Sequence, residues 1–317
     1  MVAKIFIDGE AGTTGLQIRE RLAGRSDLEV ISIAHDKRKD QDERKRLLNA
    51  ADVAILCLPD EAAKESVRLI ENETTRVIDA STAHRVNEDW AYGFAEMDPG
   101  QTEAIAAARY VANPGCWPQG LIAAIRPLVD ARLVPNDYPL SYHGISGYSG
   151  GGRQMIEEYE AEGATPSQFM PYALTFKHKH LPEMQAYAKL GRAPLFEPVV
   201  GNFAQGMTTS VPLHLDMVAD IPTGKDLHGA LADYYAAIPD SFVRVAPFDP
   251  EMGKTAALDP EAHNGTNTLT LHVFANDDAA QAVIAAVYDN LGKGASGAAV
   301  QNLNIMLGVD PRTSLEG

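Results

Sequence analysis

The chain has 317 residues, of which 45% are hydrophobic and 22% charged, and its 27 Lys and Arg against 43 Asp and Glu give a formal net charge of −16. A chain of this length favours two domains and buries enough apolar surface to need neither a metal nor a disulfide for stability. The negative balance excludes a broad basic surface for nucleic acid, although a small anionic ligand needs only a local basic pocket.

Cellular location is inferred from signals that the sequence lacks. The N-terminal segment is far short of a signal-peptide core, and no apolar run is long enough for a membrane span. The two cysteines, Cys57 and Cys116, are too few for a disulfide framework, which indicates a reducing compartment. We expect a cytoplasmic protein with no metal, no membrane and no nucleic-acid partner.

A strand, a glycine-rich turn and a helix are predicted at the start of the chain. Residues 4–8 form a short apolar run, and a breaker-free amphipathic segment follows the turn and ends at Gly24. This order is typical of dinucleotide-binding domains, because glycines let the backbone approach a pyrophosphate whose charge the helix N-terminus stabilises. The residues predicted to contact it are Gly9, Gly12, Thr13, Thr14 and Gly15. The spacing differs from the usual Gly-x-Gly-x-x-Gly, and a plain structural turn is the alternative.

Cations follow the second apolar run, which extends from Leu28 to Ala34 and predicts another strand. Asp36 lies where an acidic ribose ligand often follows the glycine motif. Three cations come directly after it, and Arg and Lys suit the 2′-phosphate of NADP. Lys37 and Arg38 therefore favour NADP(H) over NAD, and a solvated, charged helix start is the alternative.

Further apolar runs alternate with helical segments, which predicts a doubly wound α/β sheet. The predicted strands are 52–58, 76–80 and 110–112. Ligands of such sheets bind beyond the carboxyl ends of the strands. Pro59 and Ser81 are therefore candidate cofactor contacts, and Asn113 is a candidate substrate contact. Cys57, inside an apolar run, is interpreted as a buried, unreactive thiol.

Cys116 has a different setting from Cys57. It follows Asn-Pro-Gly at a strand end and precedes Pro118 and an apolar segment, so we place it at a helix N-terminus. The helix dipole and the unpaired N–H groups there stabilise a thiolate, which is the reactive form. Cys116 is thus a candidate nucleophile, and a structural cysteine at the helix start is the alternative.

Two histidines are candidates for proton transfer. If their segment is extended, His178 and His180 project to the same side, and imidazoles near a thiolate can supply or remove protons at neutral pH. Neighbouring Lys177 and Lys179 repel a cation and no cysteine is near, which disfavours zinc. A surface His and Lys patch is the alternative.

A glycine-rich segment from His143 to Arg153 offers backbone N–H groups, hydroxyls and a cation to an anion such as phosphate or carboxylate. Ser149, Gly150 and Arg153 are its candidate substrate contacts, and a flexible loop is the alternative. Arg85 follows a strand end on the ligand side and is a further candidate for anion contact.

Together these motifs resemble one family over nearly the whole chain, the N-acetyl-gamma-glutamyl-phosphate reductases in their shorter, type 2 variant, which are related to aspartate-semialdehyde dehydrogenases. The motifs that carry the resemblance are Gly9-x-x-Gly12-x-x-Gly15, Asp79-x-Ser81 with Arg85, Asn113-Pro114-Gly115-Cys116, the 146–153 loop, His178-x-His180-x-Pro182-Glu183 and the 294–304 tail. Longer members of the family have Tyr after Asn-Pro-Gly-Cys, where this chain has Trp117.

The resemblance implies a glyceraldehyde-3-phosphate dehydrogenase-like α/β architecture. A Rossmann-type NADP-binding domain would comprise 1–116 and 295–317, and an α+β catalytic and oligomerisation domain would comprise 117–294. Residues 301–306 would belong to a C-terminal helix that returns to the first domain. The resemblance also implies a homodimer or homotetramer.

The resemblance further implies the reaction, which belongs to arginine biosynthesis. The Cys116 thiolate would attack the acyl phosphate of N-acetyl-L-glutamyl 5-phosphate, phosphate would leave, and NADPH would reduce the thioester to the semialdehyde. His180 would be the acid/base, with His178 orienting the substrate. The alternatives are an aspartate-semialdehyde dehydrogenase, another acyl-phosphate reductase, or a non-catalytic NADP-binding sensor.

Overall fold

The computed structural model describes residues 2–218, 220–249, 251–254 and 257–317. The chain divides into two compact units. The first consists of Met1–Ala95, Gly100–Gly115 and Ala295–Leu315, and the second of Glu96–Pro99, Cys116–Gly294 and Glu316–Gly317.

A parallel six-stranded sheet forms the centre of the first unit. Its strands are β1 (Ala3–Asp8), β2 (Leu28–Ile31), β3 (Val53–Leu56), β4 (Arg76–Asp79), β5 (Ala91–Tyr92) and β6 (Tyr110–Ala112). The order β2-β1-β3-β4-β6-β5 reverses between β1 and β3. Successive side chains enter different apolar clusters, with Ile5 and Ile7 in one and Phe6 in the other. Both faces are therefore covered, which confirms the predicted doubly wound sheet.

Five helices accompany this sheet. They are α1 (Thr13–Leu22), α2 (Gln41–Ala50), α3 (Asp60–Leu69), α4 (Gln101–Ala107) and α9 (Gly297–Leu307). The predicted helix around 301–306 is confirmed by α9, which packs against α1, α4 and β4. The strand predicted from Leu28 to Ala34 is shorter than expected, because the pairing with β1 stops at Ile31 and a 3₁₀ turn, His35–Lys37, follows.

The second unit contains a mixed seven-stranded sheet. Its strands are β7 (Ser141–Gly147), β8 (Phe169–Pro171), β9 (Leu195–Gly201), β10 (Met207–His214), β11 (Val243–Val245), β12 (Leu269–Asn276) and β13 (Gln281–Tyr288). Their order is β11-β12-β13-β10-β7-β9-β8. The β7–β9 and β11–β12 pairs are parallel and the others antiparallel. Burial alternates along β10, so one face of the sheet is turned to the helices of this unit.

Among its described residues, the second unit contains one long buried helix and three others. They are α5 (Cys116–Asp130), α6 (Gly152–Glu160), α7 (Leu181–Tyr187) and α8 (Gly224–Ala236). Most residues of α5 are buried, and it packs against α7, α8, β10 and β13. Within the described ranges, no helix combines the length and apolar character that a membrane span requires.

Candidate functional site

In the first unit, a cavity of about 390 Å³ lies beyond the carboxyl ends of β1 and β3, where the strand order reverses. This is the position at which doubly wound sheets bind their ligands. The lining residues are Asp8, Gly9, Glu10, Ala11, Ile33, Arg38, Lys39, Arg44, Leu58, Ala62 and Glu65.

The glycine turn has the geometry that close approach of a ligand requires. Gly9 has φ +93°, a left-handed conformation that side chains disfavour, and a Cβ on Gly15 would lie 2.6 Å from the Gly9 carbonyl oxygen. The Gly12 N–H donates to that carbonyl at 3.0 Å. Gly12 precedes α1 without making a side-chain cap, and Thr13 and Thr14 are the first residues of the helix. The five predicted pyrophosphate contacts are therefore adjacent at one helix N-terminus.

Glu10, in the middle of this turn, has no assigned role in the sequence prediction. It is buried, and its carboxylate lies 2.6 Å from the Arg19 guanidinium and 3.6 Å from that of Arg38. Across the cavity wall, the Asp8 carboxylate pairs with Arg44 at 3.1 Å. Because arginines compensate the negative charge of the two buried acids, these acids do not repel a polyanion, and the cationic groups of the wall can face it.

The basic residues after β2 differ in position, because two line the cavity and one does not. Arg38 is half-buried and lines the cavity together with Lys39. Lys37, for which the same role as Arg38 is predicted, is exposed and is not among the lining residues. The 3₁₀ turn explains the difference, because consecutive residues in it point in different directions.

Strand-end side chains of the first unit are held by one another. Ser81 donates its hydroxyl to Asp79 Oδ2 at 2.7 Å, and the same oxygen lies 2.6 Å from Nδ1 of the buried His84, whose ring stacks on Trp90. Pro59 is the residue directly before α3. The sequence prediction assigned no role to His84, although a histidine three residues after Ser81 could have indicated this buried network.

Arg85 and Asn113 are both buried. The Arg85 guanidinium donates to the carbonyls of Asn113 at 3.0 Å and Ala80 at 2.9 Å. The Asn113 amide donates to the Ala295 carbonyl and accepts from Asn302, both at 3.0 Å. These bonds hold the ends of β4 and β6 and the start of the C-terminal segment in place.

In the second unit, Cys116 is the first residue of α5, as the sequence predicts, and Pro118 lies in the first turn. A helix N-terminus favours the thiolate form of a cysteine. Tyr288 donates its hydroxyl to the Cys116 carbonyl at 2.8 Å, and a Cβ on Gly294 would lie 2.9 Å from Cys116 Cβ. Neither contact is predicted from the sequence, although a glycine inside an apolar helix, such as Gly120, signals close packing.

Cys57 differs from Cys116 in position. It directly follows β3 rather than lying within it, and its backbone N–H donates to the backbone carbonyl of Asp8 at 2.8 Å. Burial raises the pKa of its thiol to about 12, with contributions from the Asp79 and Asp8 carboxylates. The thiol therefore stays protonated at neutral pH, in agreement with the unreactive role interpreted from the sequence.

His178 and His180 lie together, with ring centroids 4.7 Å apart. Their segment is not extended, which is the condition on which the sequence prediction depends: the Leu181 N–H donates to the His178 carbonyl at 3.1 Å, so the chain turns into α7. Burial lowers the pKa of His178 to about 4, and the Lys179 charge adds to this effect. His178 is therefore neutral at pH 7, and its Nδ1 accepts from the His180 backbone N–H at 3.2 Å.

The glycine-rich segment has regular secondary structure over most of its length. It comprises the end of β7, a 3₁₀ turn and the start of α6. Ser149 is buried and its hydroxyl accepts from the Asn290 amide at 3.1 Å, while a Cβ on Gly150 would lie 3.3 Å from that amide nitrogen. Arg153 is exposed and pairs with Glu157 at 2.6 Å. Among the described residues, no group of three or more His, Cys, Asp and Glu side chains is placed to hold a metal ion.

Comparison with known proteins gives matches over both units. The family model of the semialdehyde dehydrogenase NAD-binding domain matches residues 4–105, and that of the semialdehyde dehydrogenase dimerisation domain matches residues 116–290. The N-acetyl-gamma-glutamyl-phosphate reductase of Chelativorans sp. is 63% identical over 97% of this chain and 99% of its own length. The N-acetyl-gamma-glutamyl-phosphate reductase 2 of Nostoc sp. is 51% identical over 98% and 99%.

Solved structures confirm the α/β fold class. Aspartate semialdehyde dehydrogenase II of Vibrio cholerae, complexed with ASA, has a TM-score of 0.73 at 14% identity and covers 97% of this chain and 98% of that chain. Aspartate semialdehyde dehydrogenase of Candida albicans, with NADP, has a TM-score of 0.65 at 14% identity and covers 97% and 99%. At this identity the likeness shows the fold alone.

Proposed function

The chain belongs to the N-acetyl-gamma-glutamyl-phosphate reductase family, and from that membership we propose that it reduces N-acetyl-L-glutamyl 5-phosphate to N-acetyl-L-glutamate 5-semialdehyde and phosphate. This reaction is a step of arginine biosynthesis, and the matched NAD-binding domain supports a nicotinamide cofactor. The single observation that carries the residue assignment is the position of Cys116 at the first residue of a buried helix.

NADP(H) is the proposed cofactor. The cavity beyond β1 and β3 supports this proposal, because its glycine turn leads into a helix N-terminus without a side-chain cap and its wall carries Arg38 and Lys39. Gly9, Gly12, Thr13, Thr14 and Gly15 would hold the pyrophosphate. Arg38 with Lys39 would hold the 2′-phosphate, whereas Lys37 is exposed and outside the lining. Pro59 and Ser81 are further proposed contacts. When bound, the nicotinamide supplies the hydride that reduces the acyl group.

Cys116 is the proposed nucleophile. Its sulfur bonds to the acyl carbon as the bond from that carbon to the phosphate oxygen breaks, which leaves a thioester and releases phosphate. After reduction, the carbon–sulfur bond breaks, the aldehyde leaves and the thiolate returns. The N-terminal end of α5 favours the thiolate and places N–H donors near the developing oxyanion.

His180 is the proposed acid/base, and His178 is proposed to orient the substrate. The low pKa of His178, caused by its burial, supports this division, because a ring that stays neutral at pH 7 is a poor proton donor. The ring of His178 also accepts the backbone N–H of His180, which links the orientations of the two residues.

Arg85, Asn113, Ser149, Gly150 and Arg153 are the proposed substrate contacts. Arg85 and Ser149 are buried and hydrogen-bonded within their own units, so they would present fixed groups to a ligand. Arg153 would contact an anion only after its exposed pair with Glu157 opens.

The matched dimerisation domain supports an oligomer whose contacts lie within residues 116–290. We propose a homodimer or homotetramer, acting in the cytoplasm on a small acyl-phosphate metabolite.

The test is the reverse reaction, run with NADP⁺, phosphate and either N-acetyl-L-glutamate 5-semialdehyde or aspartate semialdehyde. We expect a higher kcat/KM for the N-acetylated semialdehyde. A higher value for aspartate semialdehyde would assign the chain to the other reductase, and NADPH binding without turnover of either would support a sensor.

A further inference from the structure

Tyr288 bridges the first turn of the helix that carries Cys116. Its hydroxyl donates to the Cys116 carbonyl at 2.8 Å and accepts from the Gly120 N–H at 3.2 Å. Cys116 and Gly120 are four residues apart, which is the pair that an α-helix joins directly. The phenol therefore takes part in the backbone hydrogen bonding that defines where the helix begins.

Tyr142 has the same relationship one residue further along. Its hydroxyl donates to the Trp117 carbonyl at 2.7 Å and is hydrogen-bonded to the Leu121 backbone. Both tyrosines are fully buried, and their hydroxyls interact with each other. Burial raises the pKa of both phenols, so both keep the hydrogen that they donate.

Gly120 provides the space for these hydroxyls. A Cβ at this position would lie 2.6 Å from Thr209 Oγ1, 2.7 Å from Tyr288 Oη and 2.9 Å from Tyr142 Oη. On another side of the turn, a Cβ on Gly294 would lie 2.9 Å from Cys116 Cβ. The first turn of α5 is thus confined at Cys116 by the close approach of Gly294 and bound by the Tyr288 and Tyr142 phenols.

We propose that Tyr288 and Tyr142 are positioning residues for Cys116, whose hydroxyls fix the first turn of α5 and thereby the direction of the thiol and of the N-terminal amides. The inference rests on the proposed role of Cys116 as nucleophile. An error of about 1 Å in the placement of a reacting group can cost on the order of a hundredfold in rate.

This role is separable from a role in stability. When Tyr288 is replaced by Phe, the Cys116 carbonyl and the Gly120 N–H can pair with each other as regular helical partners, so no buried backbone group need be left unpaired. The first turn can then relax to regular helical spacing. Tyr288→Phe therefore changes the geometry of the nucleophile more than the free energy of unfolding.

The experiment compares Tyr288→Phe and Tyr142→Phe with a matched control, Tyr235→Phe. Tyr235 also donates its hydroxyl to a carbonyl of α5, that of Ala123, which lies about two turns from Cys116. For each variant we measure kcat and KM in the reverse reaction, the thermal midpoint, and the rate of alkylation by iodoacetamide across pH. The Cys116→Ser variant supplies the background from Cys57.

For Tyr288→Phe we expect kcat to fall about 10- to 100-fold with little change in KM. Alkylation of Cys116 at neutral pH slows about threefold to tenfold, because less well aligned amides raise the pKa of the thiol. Tyr142→Phe also lowers kcat and slows the alkylation of Cys116. Tyr235→Phe lowers the thermal midpoint alone.

Unchanged kcat and an unchanged alkylation profile in both Tyr288→Phe and Tyr142→Phe would overturn the inference. Equal losses of kcat in all three variants, in proportion to their thermal midpoints, would also overturn it, because they would reflect stability. Alkylation needs no turnover, so an absence of reductase activity in the wild type would refute the proposed function and leave this comparison valid.

Discussion

Tyr235 donates its hydroxyl to the buried carbonyl of Ala123 at 2.9 Å, and this carbonyl is the one that Pro127 cannot pair. Proline has no N–H, so its presence inside a helix leaves the carbonyl four residues earlier without a helical donor. A side chain of α8 therefore completes the hydrogen bonding of α5, which allows a proline within a buried helix.

Removing this hydroxyl tests the relationship. Tyr235→Phe leaves the Ala123 carbonyl buried without its donor, and we expect a loss of about 1–3 kcal/mol in the free energy of unfolding. Urea denaturation measures it. In a Pro127→Ala background, residue 127 regains an N–H and the same substitution should cost less. Equal costs in both backgrounds would contradict the explanation.

Cys116→Ser should lower kcat at least about a thousandfold, because a serine hydroxyl is not ionised by a helix N-terminus. The affinity for NADPH, measured by fluorescence titration, should change little. Cys57→Ala is the matched control and should keep most of the turnover, since the raised pKa of Cys57 excludes thiolate chemistry. A serine variant with near wild-type turnover would remove the thioester mechanism.

Arg38→Ala should weaken binding of NADPH by about tenfold or more and binding of NADH much less, because a guanidinium recognises a phosphate through charge-assisted hydrogen bonds. Lys39→Ala should act in the same direction, because Lys39 also lines the cavity. Lys37→Ala is the control, since Lys37 is exposed and outside the lining. If Arg38→Ala weakens both cofactors equally, the guanidinium does not read the 2′-phosphate.

Stability should depend on pH through His178. Burial lowers the pKa of His178 from 6.5 to about 4, so the unfolded chain takes up the proton first as the pH falls. The contribution of His178 to stability is complete above pH 6.5, the pKa in the unfolded chain, and is lost as the pH falls through about 4, the pKa in the folded protein. Thermal midpoints of His178→Gln should vary less than those of the wild type between these two pH values. Parallel curves for the two proteins would contradict the assignment.

Lys293 and Glu96 form a buried ion pair at 2.6 Å in the second unit. Lys293→Met leaves the Glu96 carboxylate without this cation, and we expect a loss of about 3–5 kcal/mol in the free energy of unfolding. Replacing both residues, as Lys293→Met with Glu96→Leu, should cost less than the single change. A double variant that loses the sum of both single costs would show that the two residues do not interact.

Much of the first unit could be predicted because its strands are covered on both faces and are therefore continuous apolar runs. Local sequence signals mark the turn at Gly9, the helix start at Cys116 and the C-terminal helix. These signals have the same meaning in any fold. Strand lengths do not follow from the apolar runs, since the end of β2 depends on where its pairing with β1 stops.

The surroundings of the candidate site depend on contacts between distant parts of the sequence. Tyr288 and Cys116 are brought together by the packing of β13 on α5, and no local pattern in either segment indicates it. The direction of Lys37 depends on a single 3₁₀ turn. The turn after His178 has no local signal, because alternating His and Lys residues are compatible with a strand as well as with a turn.

The C-terminal helix α9 has a consequence for the order in which the protein folds during synthesis. Val300 and Leu303 enter the same apolar cluster as Ile5, and the Asn302 amide donates to the Gly93 carbonyl at 2.9 Å. A nascent chain therefore carries its first sheet with one face incomplete until the ribosome has added the residues of α9. Residues 116–294 are made before then and can collapse around α5 while the N-terminal sheet still lacks α9.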